Sequence, residues 1–512
     1  MSANSWTIHF ADDDATVPPQ VNILGRETVL PASASPPHPL FLSCLDIFWQ
    51  DIHYNRRLLF YPPHPRVLPF RNGDDVLPAS YLMQQLKSSL SLCLVHYFPW
   101  CGRLAKGANP PHRLCIDCND AGVEFVEASI DMPLSLLAED GFQMKRFFDQ
   151  LCQQPDHKGD CLFSSPLLSI QATLFLDGGL AIGVAQSHVV ADGQSLWDFM
   201  VSWGECSRGV PLSLPPVHDR VVVHDPSPEK ATWAFDFQLR EEDKAVEEDL
   251  TDAPDGVNGD ANTGSENGKN GHNDNSSETK SSENGGKSPP KPDSSVQYMF
   301  TLSASAIKQL KSEAGESFTS FEVTCAHFWK RTSFARKSPP AELTYIYVPI
   351  NCRSRISPPL PRAYFGNVIG VGTALSTAGK IRNESLRATS SRIHQGLAAV
   401  TEDVVEAFMN WLEIHDNRLM NASSADIPVM KGLNVASSPH FPAYKVDFGW
   451  GRPAAVRTVK VTGSGELVFF GGRPGSKLGD VEICTALPSD VLKRLLQDPE
   501  FLAKPPTSSL ID

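Results

Sequence analysis

A histidine and an aspartate four residues apart, His188 and Asp192, stand where an apolar run gives way to a turn, and Gly193 follows at once. An imidazole titrates near neutral pH, so a histidine fixed in such a place can take a proton from a hydroxyl or an amine. The same spacing suits a hydrogen-bonded core histidine, with Asp192 as a helix N-cap or as the partner of a cation. A metal pair fits poorly, since two ligands beside a turn glycine do not make a closed site. A second stretch, Asp447-Phe448-Gly449-Trp450-Gly451 followed by Arg452-Pro453, sets two glycines around a tryptophan and reads as a tight loop. A third, Asn351-Cys352-Arg353-Ser354-Arg355, leads to Tyr364-Phe365-Gly366-Asn367 and puts two arginines where a carboxylate could use one.

Other chemistries lack their residues. Cys115 and Cys118 form a lone CxxC, and one pair cannot close a tetrahedral zinc site. They read as ordinary thiols of a reducing compartment. Gly463-Ser464-Gly465 lacks the spacing of a serine nucleophile elbow, and Ser187 directly precedes the histidine. No GxGxxG follows a strand, which argues against a dinucleotide fold.

The elements that must position these groups are legible as patterns. Leu168–Leu176 and Leu180–Gln186 are apolar runs joined by Asp177-Gly178-Gly179, a hairpin signal, and the second run ends on Ser187-His188. Leu196, Phe199, Met200 and Trp203 follow at helical spacing. Tyr81 to Pro99 predicts a helix with Leu82, Leu86, Leu90, Leu94 and Phe98 on its buried face, stopped by the proline. Further helices are predicted at Ile307–Leu310, at Thr319–Phe334 and from Val491. Strands are predicted at Trp6–Phe10, Tyr345–Ile350 and Val481–Leu487. The chain is mixed α/β without a βαβ rhythm.

The chain has 512 residues and a formal charge of −14, which speaks against a nucleic-acid partner. Glu241–Pro290 carries 13 acidic and 4 basic residues, so −9 of that charge sits in one stretch and −5 in the rest. From Thr251 to Pro290 the only large aliphatic residue is Val257. Such a stretch cannot offset its ordering entropy and is expected to be disordered. No apolar run approaches the roughly 18 residues of a membrane span. The opening MSANSWTIHFADDD does not read as a secretory signal, nor the closing SSLID as a peroxisomal address. A cytoplasmic monomer without membrane insertion is the expectation.

Taken together, the three stretches resemble the BAHD family of plant acyl-CoA-dependent acyltransferases. Its HxxxDG signature appears as His188, Asp192 and Gly193, and its DFGWG signature as Asp447 to Gly451. Leu45-Asp46-Ile47, Arg57 to Tyr61, Leu94 to Pro99 and Gly102-Arg103-Leu104 extend the resemblance along the chain. The acidic insertion departs from it, being longer than family crossovers usually are. The resemblance implies two similar-sized chloramphenicol-acetyltransferase-like domains with a channel between them, joined by a long crossover loop. Residues 1–215 would carry the HxxxD motif and 296–512 the DFGWG motif. The crossover would be 216–295, with the insertion at about 241–295.

The same resemblance implies His188 as general base, no metal, no covalent acyl-enzyme and no bound cofactor, with acyl-CoA as co-substrate. Asp192, Gly193, Gly449 and Gly451 would be structural. Asp447 would be an orienting residue paired with Arg355, or second with Arg353. The Trp450 indole is a candidate oxyanion donor. Val368 after Tyr364–Asn367 favours a hydroxycinnamoyl donor, as in phenylpropanoid metabolism, with a hydroxyl or amine of a plant specialised metabolite as acceptor. Malonyl or acetyl transfer to phenolic or flavonoid glycosides is the alternative, and a non-catalytic small-molecule-binding relative the remote one.

Overall fold

The computed structural model describes residues 19–50, 54–64, 79–108, 113–157, 159–220, 227–231, 295–415, 431–461 and 465–501. The predicted strand Trp6–Phe10 and the acidic stretch fall outside these residues.

Two six-stranded sheets organise the chain. The first runs, in spatial order, Val21–Val29, Val123–Ile130, Leu168–Phe175, Leu180–Gln186, Asn55–Tyr61 and Ala455–Thr458. The second runs Ile369–Thr377, Leu343–Asn351, Leu433–Val435, Glu466–Gly471, Val481–Pro488 and Ser295–Leu302. Both sheets are mixed. Val123–Ile130 lies parallel to Leu168–Phe175 in the first, and Leu433–Val435 lies parallel to both its neighbours in the second.

The predicted hairpin forms, with Leu168 opposite Gln186 and Leu174 opposite Leu180. Gly178 turns it at φ 86°, a conformation that favours glycine. Every residue of Leu180–Gln186 is buried, which fits a continuous apolar run in a central strand. The helix Ala79–His96 packs on Gly193–Ser207. Its predicted stripe of Leu82, Leu86, Leu90 and Leu94 is buried, and the Trp203 indole donates to the Leu86 carbonyl and the Ser89 hydroxyl.

One finding runs against a clean division at the crossover. Ala455–Thr458 belongs to the second half in sequence yet pairs antiparallel with Asn55–Tyr61, Ala455 opposite Phe60 and Thr458 opposite Arg57. The second half thus supplies the edge strand of the first sheet. A single apolar core joins Leu59, Leu86 and Trp203 to Phe448, Val468 and Phe470. Between the sheets lies a cavity of about 990 Å³ whose wall includes His188, Trp49 and Arg57 from the first half and Phe321, Val348 and Glu466 from the second.

Candidate active site

The buried strand Leu180–Gln186 ends at Ser187, a turn carries His188 to Val190, and the helix Gly193–Ser207 begins after Asp192. Asp192 caps that helix, its Oδ1 accepting from the Ser195 amide at 2.9 Å. His188 is thereby pinned between a core strand and a capped helix, and its ring lies on the cavity wall. Trp49 stacks on it at 4.1 Å between ring centroids and 18° between planes.

Asn367 decides which imidazole nitrogen is the base. His188 Nδ1 and Asn367 Oδ1 are 3.0 Å apart. Asn367 Nδ2 faces Asp46 Oδ1 at 3.0 Å and the His188 carbonyl at 2.9 Å, both acceptors only. The amide nitrogen is therefore fixed as donor and Oδ1 as acceptor, so Nδ1 carries the proton and Nε2 keeps its lone pair. Asp46 is held in turn. Its Oδ1 also accepts from the Asn367 amide at 2.8 Å and from Arg220 at 3.1 Å, and its Oδ2 from the Ser43 hydroxyl at 2.7 Å. Arg220 closes the chain on the Val190 carbonyl at 3.1 Å. Burial pushes the His188 imidazole below its ordinary pKa; hydrogen bonding and the Asp192 carboxylate oppose that only partly. The ring is a neutral base at physiological pH.

The Asp192 carboxylate is committed to an arginine. Arg353 grips it with Nη1 to Oδ2 at 2.7 Å and Nη2 to Oδ1 at 3.1 Å. The same guanidinium donates to the Ser195 hydroxyl and to the Tyr364 and Gly366 carbonyls. Burial alone would raise the Asp192 carboxyl, but the charge and hydrogen bonds of Arg353 outweigh it and hold it below the usual range. Gly193 lets the Phe441 ring close in, since a Cβ there would meet it at 2.9 Å.

The second motif lies elsewhere and corrects two expectations. Asp447 does not pair with Arg355 or Arg353: its Oδ1 accepts from the amides of Gly449 and Gly451 at 2.8 and 3.0 Å. The carboxylate closes its own loop, as aspartates in tight turns do. Arg355 donates instead to the carbonyls of Leu397 and Val400 at 3.0 and 2.6 Å. Trp450 stacks on Phe448 and meets Tyr61 edge-on, and it is not among the described residues that line the cavity. The loop is a clamp on the first half. Gln85 and Ser207 donate to the Phe448 carbonyl, Arg208 to that of Asp447, and Tyr61 to that of Val446. Gly449 and Gly451 take φ of 107° and 108°, which L side chains rarely adopt.

The family model described as the transferase family matches residues 19–502. The chain belongs to this family, the BAHD acyltransferases. It is 28% identical over 440 residues to the shikimate O-hydroxycinnamoyltransferase of Nicotiana tabacum, covering 85% of this chain and 89% of that one. It is 30% identical over 442 residues to the hydroxycinnamoyl-CoA:5-hydroxyanthranilate N-hydroxycinnamoyltransferase HHT1 of Avena sativa, with the same coverage. The crystal structure of vinorine synthase superposes with a TM-score of 0.65 at 22% identity, over 94% of this chain and 98% of that one. This establishes the fold as the two-domain α/β architecture of the family. The protein is an acyltransferase that uses acyl-CoA as co-substrate. Among the described residues no helix is long and apolar enough to cross a membrane.

Asn367 was not singled out from the sequence as a partner of the histidine. Its place in Tyr364–Asn367, beside the turn that the arginines lead into, was the only available signal.

Proposed function

We propose that the protein moves a hydroxycinnamoyl group from its coenzyme A thioester to a hydroxyl or amine of a plant metabolite, with His188 as general base. The observation that carries this is the fixed tautomer: Asn367 Oδ1 accepts a hydrogen bond from Nδ1–H, which keeps the proton on Nδ1 and leaves Nε2 basic on a large interdomain cavity. Nε2 accepts the proton of the attacking O–H or N–H as that atom bonds to the thioester carbonyl carbon. The tetrahedral oxyanion collapses, the C–S bond breaks, and the imidazolium returns the proton to the departing thiolate. Free coenzyme A and an ester or amide result, with no acyl-enzyme.

Asp192, with Arg353, holds the turn, and Asp447, Gly449 and Gly451 hold the second-half loop against the first. Trp49, Trp197, Phe321 and Phe441 on the cavity wall suit an aromatic acyl chain, and two relatives are named for hydroxycinnamoyl transfer. In this reading the domains are 1–215 and 296–512 with the crossover 216–295 between them, and the enzyme works as a cytoplasmic monomer. The test is a panel of hydroxycinnamoyl-, malonyl- and acetyl-CoA against phenolic, glycoside, hydroxy-acid and amine acceptors, read by product mass. Hydroxycinnamoyl products should dominate. Malonyl or acetyl products in their place would reassign the donor.

A further inference from the structure

The cavity wall holds a buried cation that proton transfer by His188 leaves unused. Side chains of the strand Asn55–Tyr61 alternate: Leu58 and Phe60 pack into an outer core, Leu59 and Tyr61 into the core between the sheets. Arg57 falls on the inner side with Leu59 and Tyr61, and it lines the cavity beside His188. It is only 7% exposed. Nη1 donates to the Arg56 carbonyl at 2.9 Å, while Nε is buried with no hydrogen-bond partner among the described residues. Glu466, on the cavity wall of the facing sheet, offsets the charge at range without bonding to Nε. A guanidinium presents five N–H donors, and one buried in a largely apolar wall with its Nε unmatched is a costly feature unless something meets it.

We propose that Arg57 is the subsite for a substrate carboxylate, so that one of the two substrates is an acid. The acid is either a hydroxy or amino acid as acceptor or a dicarboxylic acyl group on the donor. The proposal rests on the acyl-transfer reading above. A carboxylate is planar, brings two oxygens to the guanidinium fork, and carries a charge that can meet the cation directly, where Glu466 acts only at range. A neutral ester of the same shape offers oxygens but no charge. Arg57 and His188 line the same cavity, so one bound substrate can meet both.

The test compares acids with uncharged counterparts on the full-length enzyme. In the acceptor arm, shikimate is paired with methyl shikimate and 5-hydroxyanthranilate with its methyl ester, under hydroxycinnamoyl-CoA. In the donor arm, malonyl-CoA is paired with acetyl-CoA on a flavonoid glucoside. One arm should show the acid ahead by roughly 10- to 100-fold in kcat/KM, the scale of a charge-assisted pair, and that arm identifies the source. Arg57→Gln should collapse the ratio. Arg57→Lys, which keeps the charge and loses the fork, should reduce it less and serves if the glutamine variant does not fold. An enzyme that transfers acyl groups but prefers no acid in either arm overturns the subsite and leaves acyl transfer standing. A preference that survives Arg57→Gln does the same. Absence of transfer to every acceptor overturns the acyl-transfer reading and the subsite with it.

Discussion

Arg353 and Asp192 are 161 residues apart in sequence and meet as a buried two-point ion pair, 2.7 and 3.1 Å between heavy atoms. The pair fastens the turn that carries His188 to the end of the strand Leu343–Asn351 in the other sheet. The histidine's setting therefore depends on contact between the two halves of the chain, not on the first half alone.

Replacing Asp192 with Asn keeps an oxygen to cap the helix but strands the Arg353 charge. Breaking a buried pair from one side costs on the order of 3–5 kcal/mol, so chemical denaturation should show a loss of that size. Because the folded carboxyl is held below its ordinary value, its contribution is present above the unfolded pKa of about 3.9 and fades as pH falls through the lower folded value. Wild type should show that acid-side loss of stability, and Asp192→Asn should show less of it.

Removing the base should separate chemistry from folding. His188→Ala is expected to keep its melting temperature within a few degrees and to lose about 10²–10⁴-fold in turnover, the usual worth of a positioned base. Burial lowers the imidazole pKa, so in wild type the base stays unprotonated to a lower pH than a free imidazole would, and the acid limb of kcat/KM should lie beneath about pH 6.5. An acid limb above pH 7 would assign the proton transfer to another group.

Asn367→Ala tests the tautomer. The variant frees Nδ1, so the imidazole can place its proton on Nε2 and lose its basic face to the cavity. Loss of that hydrogen bond, worth about 0.5–1.5 kcal/mol, should cost about 2- to 10-fold. The fall should appear in kcat with KM little changed, and the pH profile should shift. A rise in KM alone would make Asn367 a packing residue.

What the sequence made legible and what it hid divide along local and non-local lines. The hairpin under His188, the stripe of Leu82 to Leu94 and the cap before Gly193 are short-range patterns with periods of 2 and 3.6, so they could be read directly. Which arginine answers which carboxylate could not. Arg353 and Arg355 lie two apart, and only the way the strand end meets the facing helix sends the first to Asp192 and the second to main-chain carbonyls. Asn367 and Asp46 are 321 residues apart, and the passage of Ala455–Thr458 into the first sheet is a pairing across nearly the whole chain. No local propensity encodes such contacts.

The Asp447 loop gives a prediction that distinguishes an internal cap from a salt bridge. Had Asp447 paired with a buried arginine, Asp447→Asn would be severe, because it would leave a cation unmatched. The observed contacts instead run from the Gly449 and Gly451 amides to one side-chain oxygen, which asparagine also supplies. Asp447→Asn should therefore cost about 1 kcal/mol or less, whereas Asp447→Ala loses both hydrogen bonds, each worth about 0.5–1.5 kcal/mol net, and should cost about 1–3 kcal/mol. Gly451→Ala should add to this picture: open space surrounds it, so its expected loss of about 1–2 kcal/mol comes from the positive φ of 108° and not from a clash. Activity in all three should track the folded fraction, with the acid limb of the pH profile unmoved, because none of these atoms lies on the cavity wall. A stable Asp447→Asn protein that had lost its turnover would place that carboxylate in the chemistry instead.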